Sequence, residues 1–228
     1  MTLNLTIQTK SAKEDTGGFG EDEFGTVTEA LLDRHGETLL RLAAGSIEHG
    51  LEKGQALPTG TDGHPAELTE TGACFVTLKR EDKLRGCIGT SEARRPLVID
   101  VADNGYRAAF KDPRFPALTD LELDGLELSL SVLGPQTPMT FSGEADFHSQ
   151  LRPGIDGLVI EDGAKRALFL PSVWSQLPKP QAFVEHLKVK ASMAKDYWSG
   201  TFKARRFDAC EISAADLPDP TSIWNRAG

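Results

Sequence analysis

Two stretches of this chain follow one plan, and that repetition constrains the fold more than any other feature. Residues 73–79 alternate as a strand, Arg80-Glu-Asp-Lys83 turns the chain, and residues 84–90 return as a partner strand. Pro96 then suits the first turn of a helix whose apolar positions Leu97, Val98, Val101, Ala102 and Ala109 run toward Phe110. In the second half, residues 157–161, an Asp-Gly-Ala-Lys turn and residues 166–170 make another hairpin. Pro171 leads a short helix after it, and Pro180 starts one with Phe183, Val184 and Leu187 on its apolar side. A hairpin followed by a proline-led helix, twice, predicts an α+β duplication.

The remaining segments fill in around this plan. Residues 1–25 are polar, acidic and glycine-containing and read as a mobile tail. Thr26-Val-Thr-Glu29 has capping-box spacing, and Leu39, Leu40, Ala43 and Ile47 recur at helical intervals up to a stop expected near Gly50. Two prolines hold Lys-Asp-Pro-Arg-Phe-Pro, residues 111–116, extended, giving a rigid arm that projects Lys111 and Arg114. Thr119-Asp-Leu-Glu122 is a second capping box, opening at most a short helix. Leu126, Leu128, Leu130 and Val132 alternate with polar residues as a half-buried strand, and the last strand is expected within residues 202–212. The expected domain is therefore 26–212, with 213–228 as a C-terminal extension.

Charge is unevenly spread. The 25 Lys and Arg against 34 Asp and Glu give a net charge of −9, which argues against general affinity for nucleic acid or an acidic membrane. Residues 1–72 carry five basic and thirteen acidic residues, whereas residues 79–114 carry nine basic and six acidic, and residues 186–206 six and one. If the fold brings the two basic segments together, they make a positive surface suited to a small anion, a nucleotide or a phosphorylated partner. Cys74, Cys87 and Cys210 show no paired spacing and follow no secretory signal, so a reducing cytoplasm is the expected setting. No apolar run approaches the roughly 18 residues needed to span a bilayer.

Chemistry concentrates at Leu-Arg-Gly-Cys-Ile-Gly, residues 84–89, where Cys87 stands between Gly86 and Gly89 and close in sequence to Arg85. Glycine permits sharp turns and close approach. A guanidinium favours thiolate over thiol and grips anions. Two readings follow. In one, Cys87 is a nucleophile, Arg85 stabilises charge, and Lys111, Arg114, Gly86 and Gly89 hold a small anionic metabolite or a modified protein segment. In the other, Cys87 packs as a small core residue, Arg114 pairs with an acid such as Asp112 or Glu122, and the surface binds a protein or, less favoured, a nucleic acid.

Other motifs carry less. Ser192-Met-Ala-Lys195 matches a Ser-x-x-Lys nucleophile pattern without its companion elements. The five histidines are scattered, and no metal-ligand spacing or dinucleotide fingerprint occurs, so neither a metal nor a cofactor is expected. His186 lacks any sequence link to Cys87. Tyr197 and Trp198 read as core beside the last strand, and Asp156 and Glu161 as solvated hairpin acids.

Six motifs in fixed order resemble the AMMECR-one domain family, known in bacteria as AmmeMemoRadiSam system protein A. They are Cys-Phe-Val-Thr-Leu at 74–78, the cysteine hexapeptide at 84–89, Asp-Pro-Arg-Phe-Pro at 112–116, Leu-Ser-Leu-Ser-Val-Leu at 128–133, Gly-Ile-Asp-Gly-Leu-Val-Ile at 154–160 and Phe-Leu-Pro at 169–171. The resemblance implies two unequal, interdigitated α+β subdomains built from duplicated strand–helix–hairpin units, with the hexapeptide near the groove between them. It also implies an accessory role beside a radical S-adenosylmethionine protein and a Memo-type protein. It fixes no reaction.

Overall fold

The structure, a computed structural model, describes residues 21–224, with side chains from residue 27 onward. Its elements run α1 (Glu21–Lys53), α2 (Ala66–Thr69), β1 (Thr71–Arg80), β2 (Lys83–Gly89), β3 (Arg95–Pro96), α3 (Leu97–Phe110), β4 (Leu126–Leu133), β5 (Thr137–Pro138), α4 (Glu144–Ser149), β6 (Gly157–Asp162), β7 (Lys165–Phe169), α5 (Pro180–Lys190), β8 (Lys203–Phe207) and β9 (Ala209–Ser213). Short 3-10 turns at Asp120–Glu122, Pro171–Ser175, Ala214–Asp216 and Pro220–Ile223 complete the chain.

Two antiparallel sheets carry the duplication. The larger has the order β2-β1-β4-β9, with β3 pairing off β1, and the smaller has the order β5-β8-β6-β7. Read from the hairpin outward, the second order is β7-β6-β8-β5, so each sheet repeats one sequence of roles. A hairpin's return strand lies at the edge, its first strand lies inside, and the strand following the proline-led helix pairs with that first strand. The fourth strand comes from the other half: β5 follows β4 across into the small sheet, and β9 follows β8 into the large one. This reciprocal exchange is the physical content of interdigitation. The expected single strand within 202–212 is consequently two strands, broken at Asp208 where the chain changes sheets.

Side-chain alternation explains why the sheets stack on helices and on each other. On β1, Cys74, Val76 and Leu78 are buried, as are Leu128, Leu130 and Val132 on β4, and this face packs on α1 and α3. Helix α1 contributes Leu39, Leu40, Ala43, Ala44 and Ile47, all without exposure. It is longer than expected: the Thr26–Glu29 box lies inside it, and Gly54, at φ 70°, ends it four residues beyond Gly50. The tail assigned to residues 1–25 therefore gives way to helix by Glu21, and residues 1–20 lie outside the described residues. A second core gathers Phe147, Leu158, Ile160, Trp174, Phe183 and Leu187 behind the small sheet. Helix α4, which the hydrophobic pattern did not suggest, brings Phe147 into it. A third, smaller cluster of Ala73, Leu133, Val159, Leu168 and Phe207 joins the remaining faces of the two sheets. Among the described residues, no helix is long and apolar enough to cross a membrane.

Candidate functional site

The inter-sheet cluster closes only part of the space between the sheets. Beside it lies a cavity of about 500 Å³ floored by the alternate residues of the large sheet: Phe75, Thr77 and Lys79 of β1, Cys87 of β2, Ser129 and Ser131 of β4 and Glu211 of β9. Its other wall is β7, the turn after it and the end of α5, with Leu168, Phe169, Ser172 and Lys190. The β1–β2 turn uses Glu81 and Asp82 at φ 53° and 59°, the two-residue geometry that matches strand twist. Thr77 then pairs with Cys87, and Leu78 with Gly86, but Lys79 pairs with Leu84. Arg85 is thus the extra residue of a bulge, and alternation is reset there. Cys87 falls on the cleft face as a half-buried thiol, with the Thr77 hydroxyl 3.4 Å from its Sγ.

The arm at residues 111–116 serves the edge of β2. Because β2 pairs on one side only, its outward backbone groups need partners. Asp112, buried, accepts the Cys87 backbone N–H at 2.9 Å, and Arg114 Nη2 donates to the Cys87 carbonyl at 3.3 Å. Asp112 also accepts from the Arg114 backbone N–H at 3.1 Å, from its Nε at 2.9 Å and from its Nη2 at 2.7 Å. The Arg114 guanidinium above all, with the Cys87 amide, holds the Asp112 carboxyl down at about 2. The carboxylate therefore fixes both the peptide of Cys87 and the direction of Arg114, whose side chain is 53% exposed and lines the cleft.

The second half repeats this device. Lys190, the last residue of α5, donates from Nζ to the carbonyl of Leu168 on the edge strand β7 at 2.9 Å. In each half, then, a cation just beyond or at the end of the proline-led helix covers an outward carbonyl of its hairpin's return strand. Both cations face one cavity. Burial pushes the Lys190 ammonium below its ordinary value, and Arg114 adds to this while Cys87 opposes it.

Each expected site residue has a definite place. Cys87 and Arg114 line the cleft together. Arg85 does not line it: displaced by the bulge, it pairs with Glu122 through Nε at 2.7 Å, 12% exposed, and the Arg85 guanidinium in turn holds Glu122 down at about 2. The Phe115 ring contacts both guanidinium groups, Arg85 at 5.9 Å and Arg114 at 5.4 Å. Lys111 is also outside the cavity, exposed and resting over the Tyr106 ring at 5.9 Å. Gly86 serves packing, since a Cβ there would meet the Ala108 carbonyl oxygen of α3 at 2.1 Å. At Gly89 a Cβ would strike the Phe75 ring at 2.3 Å, so this glycine makes room for a cleft residue instead of lining the cleft itself. Lys190 carried no role in the sequence reading, and Asp112 entered it only as one of two acids offered as a partner for Arg114, the pairing that the structure contains. The basic balance of residues 186–206 and the arm pointed toward both.

The remaining candidates are structural. Asp156 is fully buried, not solvated, and takes the Arg152 backbone N–H and guanidinium. Tyr197 donates to Asp162, and His186 is exposed on α5 against the Ala182 carbonyl. Among the described residues no cluster of His, Cys, Asp and Glu is arranged to hold a metal.

Comparison with known proteins matches the AMMECR1 family model over residues 40–212. The chain belongs to the AMMECR1 family. A protein of Methanothermobacter thermautotrophicus is 35% identical over 178 residues, covering 76% of this chain and 91% of that protein. Protein MK0488 of Methanopyrus kandleri is 34% identical over 179 residues, covering 75% and 83%. The crystal structure of uncharacterized protein PH0010 from Pyrococcus horikoshii superposes with a TM-score of 0.73 at 33% identity, covering 79% of this chain and 91% of that one. The AMMECR1 fold, with its antiparallel sheets and N-terminal helix, is thereby established for this chain.

Proposed function

We propose that the cleft binds a small anionic metabolite, or the anionic group of a modified protein segment, between Arg114 and Lys190 and against Cys87. One observation carries this reading: cations from the two halves of the duplication converge on a single cavity that also exposes a thiol. Two cations that repel each other in a partly desolvated cleft gain from an anion placed between them. The protein then acts as an enzyme, with Cys87 attacking an electrophile, or as a subunit that handles substrate for one. Membership of the AMMECR1 family supports a cytoplasmic, accessory place beside a radical S-adenosylmethionine protein and a Memo-type protein. Copurification from a cell that contains those two proteins tests that placement.

The test of the site itself is thermal stability in inorganic phosphate, pyrophosphate and citrate, comparing wild type with Arg114→Ala. At a hundredfold excess over its dissociation constant a ligand stabilises by about 2.7 kcal/mol, so a rise of several degrees is expected in wild type and lost in the variant. Equal responses would place the anion elsewhere. A second reading, a non-catalytic binding module, draws on the arm's structural duty: Arg114 already serves Asp112 and the edge of β2. It expects Cys87→Ser to leave every activity intact, whereas the enzyme reading expects turnover to vanish with ligand affinity retained.

A further inference from the structure

The last turn of α5 holds two lysines with opposite environments. Lys188 is buried and ion-paired with Glu144 at 2.5 Å, its ammonium also lying 5.6 Å from the Trp198 ring. Lys190 has no carboxylate partner among the described residues. Its acceptor is the Leu168 carbonyl, and a carbonyl accepts a hydrogen from a neutral amine as well as from an ammonium. The residue as a whole is exposed, but its hydrogen bond to Leu168 is part-buried, and the amine lies 5.1 Å from the Phe169 ring in the cavity that Arg114 and Cys87 line. The other charged groups there are Lys79 and Glu211, and Glu211 takes the Ser131 hydroxyl at 3.3 Å. Desolvation favours the unprotonated amine, which is the nucleophilic form, and the Arg114 charge adds to this while Cys87 opposes it.

We propose that Lys190 forms an imine with a small oxo acid, a carbonyl compound whose anionic group Arg114 holds in the cleft. This rests on the cleft being an anion site and adds to it the class of ligand. In the step, the amine lone pair forms a C–N bond to the carbonyl carbon, and the oxygen takes two protons, one from nitrogen and one from solvent, so the product is the protonated imine. It leaves as water. Nothing is oxidised or reduced, and the second cation of the cleft becomes the covalent anchor instead of a simple counter-charge.

The experiment treats the whole protein with glyoxylate and cyanoborohydride near neutral pH and maps modified lysines by peptide mass. Lys190 is expected to be trapped about tenfold or more faster than the exposed Lys165 and Lys195, because it alone of the three sits beside the group that holds the oxo acid. Arg114→Ala should slow trapping by glyoxylate toward the rate seen with neutral acetaldehyde, and Lys190→Arg should remove the fast site while leaving the melting curve unchanged. If Lys190 is no faster than the exposed lysines although phosphate still stabilises wild type, the imine is overturned and the anion site stands. If Lys190 is fast but indifferent to Arg114→Ala, the oxo-acid assignment is overturned. Failure of every anion to stabilise wild type would instead remove the site reading beneath both.

Discussion

The two faces of the large sheet place two thiols in opposite circumstances. Cys74 on β1 points into the helix-covered face, fully buried, where it lies 3.3 Å from the Asp100 carboxylate. Burial first, and Asp100 after it, push that thiol far above its ordinary range. Cys87, on the neighbouring strand, points the other way into the cleft beside Thr77, Arg114 and Lys190. One-residue alternation, corrected by a bulge, decides which sulfur is packed under the helices and which lines the cleft. The difference teaches that neighbouring glycines or arginines do not by themselves mark a reactive cysteine. The face of the sheet decides which thiol lines a cavity.

Thiol labelling breaks or confirms this contrast most directly. In the folded protein, Cys74 reacts only through opening, and unfolded fractions of marginally stable proteins run about 10⁻³ to 10⁻⁶. Iodoacetamide at neutral pH should therefore modify Cys87 at least about a thousandfold faster than Cys74. Cys210, its thiol pushed up to about 11 by burial and then by Asp208, should also lag. If Cys87 is protected until the protein unfolds, the cleft is closed to solutes and the enzyme reading fails.

Neighbouring residues of β4 sharpen the same contrast in stability. Leu130 is fully buried toward α1 and α3, while the next residue back, Ser129, is only half-buried on the cleft floor. Leu130→Ala should cost about 2–5 kcal/mol in urea denaturation through lost burial and a cavity. Ser129→Ala should stay within about 0.5 kcal/mol of wild type. Comparable losses at both positions would mean that the cleft face is as tightly integrated as the core.

The fold was legible where local patterns sufficed, and the site only where one strand carried it. Both hairpins, the proline-led helices α3 and α5, the Asp120–Glu122 turn with its capping box, and β4 follow from alternation, helical spacing and turn residues. Cys87 on a strand followed too. What escaped depends on register or on distant pairing. The bulge that removes Arg85 from the cleft arises from how β2 meets β1, and a strand read alone gives no sign of it. Lys190 shares a cavity with Cys87 only because the two halves exchange their fourth strands and set β2 and β7 along one cavity. Asp112 reads from the sequence as an acid beside Arg114, and it is also the acceptor that the unpaired edge of β2 requires. The basic bias of two remote segments was the trace of this arrangement, a charge pattern without an address.

The smallest expected effect separates the cleft edge from the ion pair just outside it. Asp112 and Glu122 both have folded values of about 2, against ordinary values of 3.8 and 4.5, each held down first by its arginine. A depressed carboxylate contributes stability that is present above its ordinary value and lost as pH falls toward its folded value. Both pairs should therefore weaken between about pH 4.5 and pH 2. With solvent screening at the exposed Arg114, the Asp112 pair is worth on the order of 1 kcal/mol or less. Asp112→Asn and Glu122→Gln should each flatten part of the acid limb of the urea midpoint. They should differ in hydrogen exchange: only Asp112→Asn weakens the acceptor for the Cys87 amide, so only that variant should speed exchange there. Equal acceleration in both would show that the Cys87 backbone is held by the whole Arg85–Phe115–Arg114 layer, and that the cleft edge has no brace of its own.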